Sequence, residues 1–235
     1  MRNINRSIAI LGIALASAHA QAVEFSFTSA GTITDTLTGL TVTSSAWSDT
    51  AAGNQFEAAT LSFAADGMGV YNPTENTNTP NANANPIAGS NGNTAGALGN
   101  KGGVNDVILF RFSSKVSLQT LTMAQFGGDS DLSMWAGTGS SFSLSGMTSD
   151  ALGTPTLFEN TSAANEIKSV SLVTFSGTYD WLAVAARIGH ADDLAKLQSL
   201  TVTPVAQAVP DAATWMTMLA GLGFVGFAVK RRTRV

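Results

Sequence analysis

The 235-residue chain contains no cysteine. That excludes a disulfide scaffold, thiol catalysis and Cys-ligated zinc or iron–sulfur sites. Charge is also scarce: Asp, Glu, Lys and Arg make up 12% of the residues, against about 25% in an ordinary soluble domain. Histidine is limited to two residues. One is His19, inside the N-terminal apolar segment; the other, His190, has no G-x-S-x-G nucleophile elbow to serve. Long apolar runs are missing from the middle of the chain and confined to its ends. The mean hydropathy of +0.17 therefore describes the ends better than the body.

The first end reads as a secretory signal peptide over residues 1–22. Arg2 and Arg6 give the positive start, and Ile8 to Ala16 is an uninterrupted apolar run. Two overlapping A-x-A sites follow, Ala18-His19-Ala20 and Ala20-Gln21-Ala22, so cleavage is expected after Ala20 or Ala22. As a helix the run is about 14 Å long, too short for a bilayer core of about 30 Å. The alternative is a buried amphipathic helix. A signal of this kind implies the Sec translocon and signal peptidase as partners.

The second end, 207–235, carries a charge-free stretch from Ala212 to Val229, followed by Lys230, Arg231, Arg232 and Arg234. A transmembrane helix over 212–229 spans about 27 Å, and the basic tail places its C-terminus in the cytoplasm and the body outside. Trp215 falls at the outer interface, and Gly221, Gly223 and Gly226 give the span a small-residue face. A permanent single-span anchor is one reading. The order of motifs supports another: a Pro-acidic pair (Pro210, Asp211), Thr214-Trp215, a Gly-rich span and an Arg cluster resemble the PEP-CTERM sorting signal. Asp211 stands where Glu is usual, and Ala212 where a second Pro is usual. Pro210, Asp211, Thr214, Trp215, Gly221, Gly223, Arg231 and Arg232 match the pattern. The resemblance implies recognition and cutting by an exosortase-type enzyme in the inner membrane.

Between the ends lies an acidic body, 23–206. It holds six basic and fifteen acidic residues, a net charge of −9. Such a body is unsuited to nucleic acid, whose binding depends on phosphate neutralisation by Lys and Arg, and to anionic lipid. Period-two alternation predicts strands at 24–28, 32–34, 40–43, 59–63, 68–71, 116–121, 131–136, 140–144, 167–175, 178–187 and 198–203. The continuous run Val107 to Phe112 predicts a strand buried on both faces. Residues 191–197 read as a short helix. Many short strands without intervening helices predict an all-β domain, a β-sandwich or jelly roll.

Residues 72–103 interrupt the pattern with nine Asn, three Pro and six Gly. So little apolar surface cannot offset ordering entropy, and the composition predicts a long, mobile surface loop. The segments flanking it, ADGMGVYN at 65–72, NDVILFRFSSKVSLQTLTM at 105–123 and GGDSDLSMWAGTG at 127–139, resemble the exosortase-dependent surface protein family. That resemblance implies surface display without an enzymatic activity.

Three sets of residues carry candidate chemistry. Asp129 and Asp131 form a D-x-D pair that can offer oxygens to calcium, with Asp66 and Asp106 as further ligands; alternatively they cap a turn through backbone N–H groups. Asp180 and Asp192-Asp193 offer carboxylates for glycan hydrolysis, but no motif fixes their spacing. Trp47, Trp135, Trp181, Tyr71 and Tyr179 are either core anchors or, where exposed, stacking platforms for sugar rings. The expected role is that of an exported cell-surface or extracellular-matrix protein linked to polysaccharide, structural or adhesive rather than enzymatic. A carbohydrate-binding module and a cryptic glycan hydrolase are the alternatives.

Overall fold

The computed structural model describes residues 21–27, 31–51, 54–64, 67–71, 98–99, 105–125, 130–159, 167–188, 194–205 and Leu219. Apart from Leu219 they belong to the compact unit Ala20–Val205. Its strands, in chain order, are β1 (Val23–Ser26), β2 (Thr32–Thr34), β3 (Thr41–Ala51), β4 (Gln55–Ala64), β5 (Gly67–Tyr71) and β6 (Leu98–Gly99). They continue with β7 (Asp106–Gln125), β8 (Leu132–Gly137), β9 (Thr156–Phe158), β10 (Ile167–Ser171), β11 (Tyr179–Ala186) and β12 (Leu194–Pro204). One 3-10 turn, Ser149–Leu152, precedes β9. The body is all-β, as the abundance of Thr, Val, Ile and Phe at alternating positions leads one to expect.

β7 organises the rest. It runs for 20 residues and joins two segments with separate strand patterns, VILFRF and VSLQTL, through Ser113-Ser114-Lys115. Its first half pairs with β3 along one edge and with β11 along the other. Its second half pairs with β12 and with β10 in the same manner. The chain of neighbours β7–β3–β4–β5–β12 returns to β7, so these five strands close a circuit. The β5–β12 closure is narrow, with the single pair Leu197↔Met68. β8 extends the sheet from β11, and β9 from β8.

Closure places apolar side chains inside. Ile108, Phe110 and Phe112 of β7 join Val42, Met68 and Leu182 in the main core cluster. Val116, Leu118, Leu121 and Met123 continue it along the second half of β7. Phe110 stacks on Phe27 with ring centroids 5.0 Å apart. β12 needs two register shifts, at Leu197/Ser199 and Thr201/Val202. The first resets the alternation so that Leu197, Leu200 and Val202 are all buried.

The opposite face of the first half of β7 is covered as well. Val107 and Leu109 pack with Phe56, Trp135, Leu144, Ala183 and Ala185 in a second cluster. The cover is segment 138–155. Arg111 holds it by donating from Nε and Nη2 to the Phe142 carbonyl at 2.9 and 2.7 Å. Phe56 N donates to Met147 O at 2.7 Å, and Gly146 N to Phe56 O at 3.0 Å. Burial on both faces explains why 107–110 carry no polar side chain.

Three sequence expectations need correction. Residues 140–144 form a turn and loop, not a strand, because Phe142 and Leu144 cap the second cluster instead of joining a ladder. The helix expected over 191–197 is replaced by strand from Leu194 onward. Pairing of Ala195 and Leu197 with Gln125 and Met123 overrides the local helical preference. Within 72–103, Leu98-Gly99 pair with Ala195 and Leu194; the other residues of that segment lie outside the described residues. Among the described residues no helix is long and apolar enough to cross a membrane. The 212–229 segment, apart from Leu219, lies outside them.

Phe110→Ala removes a fully buried ring from both the main core and the Phe27 stack. It is expected to lower unfolding free energy by about 3–5 kcal/mol, measurable by urea denaturation. A loss below about 1 kcal/mol would show that the ring is not a main support of the core.

Candidate functional site

Polar chemistry collects where β3 ends, β7 begins and β11 ends. Asp49 and Asn105, both buried, clasp each other across β3 and β7. Asn105 donates its backbone N–H to Asp49 Oδ1 at 2.5 Å and its side-chain amide to Oδ2. Asn105 O accepts from Asp49 N at 3.2 Å. On the neighbouring rung, Ser48 Oγ donates to Asp106 Oδ1 at 2.8 Å. Burial pushes the Asp49 carboxyl above the ordinary carboxylate value, partly opposed by the Asn105 hydrogen bonds. Asn105 Oδ1 is buried without a partner.

At the β8 and β11 ends, Asp131 meets Arg187. The guanidinium Nη1 lies 2.9 Å from Asp131 Oδ2 and 3.1 Å from Glu159 Oε1. Arg187 N also donates to Asp131 O at 3.0 Å. Of the D-x-D pair, Asp131 thus has a guanidinium beside it, the positive charge that calcium was expected to supply. Asp129 and Asp66 lie outside the described residues. Asp106 is occupied with Ser48. The described residues contain no group of three or more His, Asp or Glu able to hold a metal ion.

The candidate hydrolytic carboxylates fare similarly. Asp180 accepts from Lys115 Nζ and from Gly139 N, both at 2.7 Å. These partners hold its carboxyl below the ordinary value. His190, Asp192 and Asp193 lie outside the described residues.

The described tryptophans, Trp47, Trp135 and Trp181, are anchored internally. Trp135 is buried and its Nε1 donates to Gly153 O at 2.9 Å. Trp47 Nε1 donates to Ser45 Oγ at 2.9 Å. Trp181 stacks on Phe142, centroids 3.9 Å apart and planes 9° from parallel. Tyr179 accepts from Gly177 N and meets Phe175 edge-on. No aromatic side chain of known burial among the described residues is classed as exposed. The side chain of Tyr71 is not among them.

An open cleft of about 530 Å³ lies beside Trp135, between the 149–155 segment and Arg187-Ile188. Of the processing residues, Ala22 is exposed ahead of β1; Ala20, Pro210, Asp211, Thr214, Trp215, Gly221, Gly223, Arg231 and Arg232 lie outside the described residues. The sequence did not disclose Asp49, Asn105 or Arg187. Asp49 and Asn105 are 56 positions apart, and only strand pairing brings them together. No protein-family model matches the chain, and no curated protein matches it.

Because the Asp49 carboxyl is raised in the fold, its ionised form opposes folding. Its contribution to stability should grow as pH falls through the raised value and level off below 3.8, the reference carboxylate value. Asp49→Asn should leave stability at pH 7 equal or higher and flatten this part of the pH profile. A loss above about 2 kcal/mol at pH 7, the scale of a buried polar group left unpaired, would show that the charge itself is required. Separately, a Cβ on Gly137 would lie 2.2 Å from Trp181 Cζ2. Gly137→Ala should therefore expel the indole from Phe142 and cost about 1–3 kcal/mol, with a red shift in tryptophan emission. Unchanged emission would mean that the stack does not depend on the glycine.

Proposed function

We propose that the chain is an exported, exosortase-processed protein of the cell surface or extracellular matrix, with a structural or adhesive role linked to exopolysaccharide or biofilm. The observation that carries this reading is the fixed order at the C-terminus: Pro210-Asp211, Thr214-Trp215, a Gly-rich apolar span, then Arg231-Arg232. The N-terminal arrangement of Arg2, Arg6, an apolar run and A-x-A sites complements it. On this reading the Sec translocon carries the chain outward, and signal peptidase cuts after Ala20 or Ala22. The 212–229 span then holds it in the inner membrane until the sorting enzyme cuts near Pro210.

The body suits a displayed role. Its net charge of −9 favours solubility and weighs against nucleic acid as a partner. β1 begins directly after the proposed cleavage sites, and β12 ends at Pro204, just before the sorting segment. Removing both handles therefore leaves every strand intact. We read the sheet, bent through β7 with both halves facing one core, as a β-sandwich of jelly-roll type. Sugar stacking on exposed tryptophans gains no support from the described residues, whose tryptophans are internally bonded.

Mass spectrometry of the protein recovered from the cell surface or medium tests the reading. The expected N-terminus is Gln21 or Val23, and the expected C-terminus lies near Pro210. Arg231→Gln with Arg232→Gln should cause a membrane-held form with an uncut tail to accumulate. Recovery of the intact chain from the cytosol as the main species would overturn the proposal.

A further inference from the structure

The cleft beside Trp135 has the make-up of a binding site. Its volume of about 530 Å³ falls within the roughly 300–1,000 Å³ of small-ligand sites. Trp135, Pro155, Leu157 and Ile188 give it an apolar wall, while Ser149, Asp150 and Thr154 give it a polar rim. Parts of this site are fixed in advance. The Trp135 indole is tied to the rim through Gly153 O at 2.9 Å. Arg187 is braced between Asp131 and Glu159. Ser133 Oγ accepts from Ile188 N at 3.2 Å. Preorganisation of this kind reduces the entropy lost on binding.

Two groups are left open to a ligand. Leu157 is 46% exposed, a large apolar side chain on the wall of a concave site. Asp150 is exposed, and its carboxylate meets no donor among the described residues. Charge narrows the ligand further. The charged residues of the lining are Arg187 and Asp150, and the guanidinium is already engaged by Asp131 and Glu159, so the cleft offers an anion no uncompensated positive charge. The complementary ligand is uncharged, with one apolar face and a periphery of hydroxyls, the description of a pyranose ring. Its C–H face would pack on the wall, and its hydroxyls would donate to Asp150 and exchange hydrogen bonds with Ser149 and Thr154.

We infer that this cleft binds a segment of a neutral, hexose-based polysaccharide. The inference rests on the matrix role proposed above for the class of ligand, and it names the place of contact. It differs from an aromatic platform: the sugar enters a cleft between the 149–155 segment and the end of β11, and the tryptophan serves as a fixed wall.

The test is titration of the exported protein with hexamers of glucose, mannose and galactose, followed by calorimetry and indole fluorescence. A galacturonic acid hexamer serves as the acidic comparison. Saturable binding of at least one neutral series is expected, with the acidic series at least about tenfold weaker, a difference of about 1.4 kcal/mol. Leu157→Ser and Asp150→Asn each lie at the surface and should weaken binding about tenfold without changing the melting temperature. Absence of saturable binding to all three neutral series would overturn the inference, as would equal binding of the acidic series or binding that neither variant weakens. Correctly processed termini with no sugar binding would leave the export proposal standing and remove this one alone. An unprocessed cytosolic chain would remove the export proposal, and the titration would still decide the cleft.

Discussion

Burial of the first half of β7 on both faces is the constraint on which the rest depends. Val107, Ile108, Leu109 and Phe110 are fully buried, with alternate side chains entering two different clusters. A strand in this position can expose neither face nor edge. β3 and β11 take its edges, the main core cluster takes one face, and segment 138–155 takes the other. Each cover is then fixed by its own polar contact. Arg111 holds the Phe142 carbonyl, and Asp49 and Asn105 clasp across the start of the strand.

Polar groups lie mainly at the strand ends, where the ladder stops and backbone groups need new partners. That is why the Asp49–Asn105 clasp, the Ser48–Asp106 bond and the Asp131–Arg187 pair all fall there. Asp106 and Asp131, two of the acidic residues that resemble a ligand cluster in the sequence, become separate closures in space, each with its own donor. The cleft differs, because its carboxylate at Asp150 and its apolar side chain at Leu157 are left open.

Much of the architecture was legible beforehand, for identifiable reasons. The run VILFRF announced a doubly buried strand because no polar side chain interrupts 107–110. Alternation at 24–28, 32–34, 68–71 and 178–187 marked strands, with one buried face in β1 and two in β11 over 182–186. Residues 140–144 misled because alternation also arises when two side chains of a loop, here Phe142 and Leu144, dip into a cluster. Leu194–Leu197 misled because a short amphipathic stretch fits both periods, and only its partner strand decides. Of the candidate site, the sequence marked Asp131 and Trp135 but not their roles. The partners of Asp131 and Trp135, Arg187 and Gly153, are 56 and 18 positions away, and no local pattern links them.

Amide hydrogen exchange on the exported protein tests the central claim most directly. If β7 is the spine shared by both halves of the circuit, amides of 107–111 and 118–123 should exchange slowest, with one common opening free energy equal to that of global unfolding. Exchange of 118–123 at a markedly lower free energy than 107–111 would contradict the account, because it would make the two halves separate folding units.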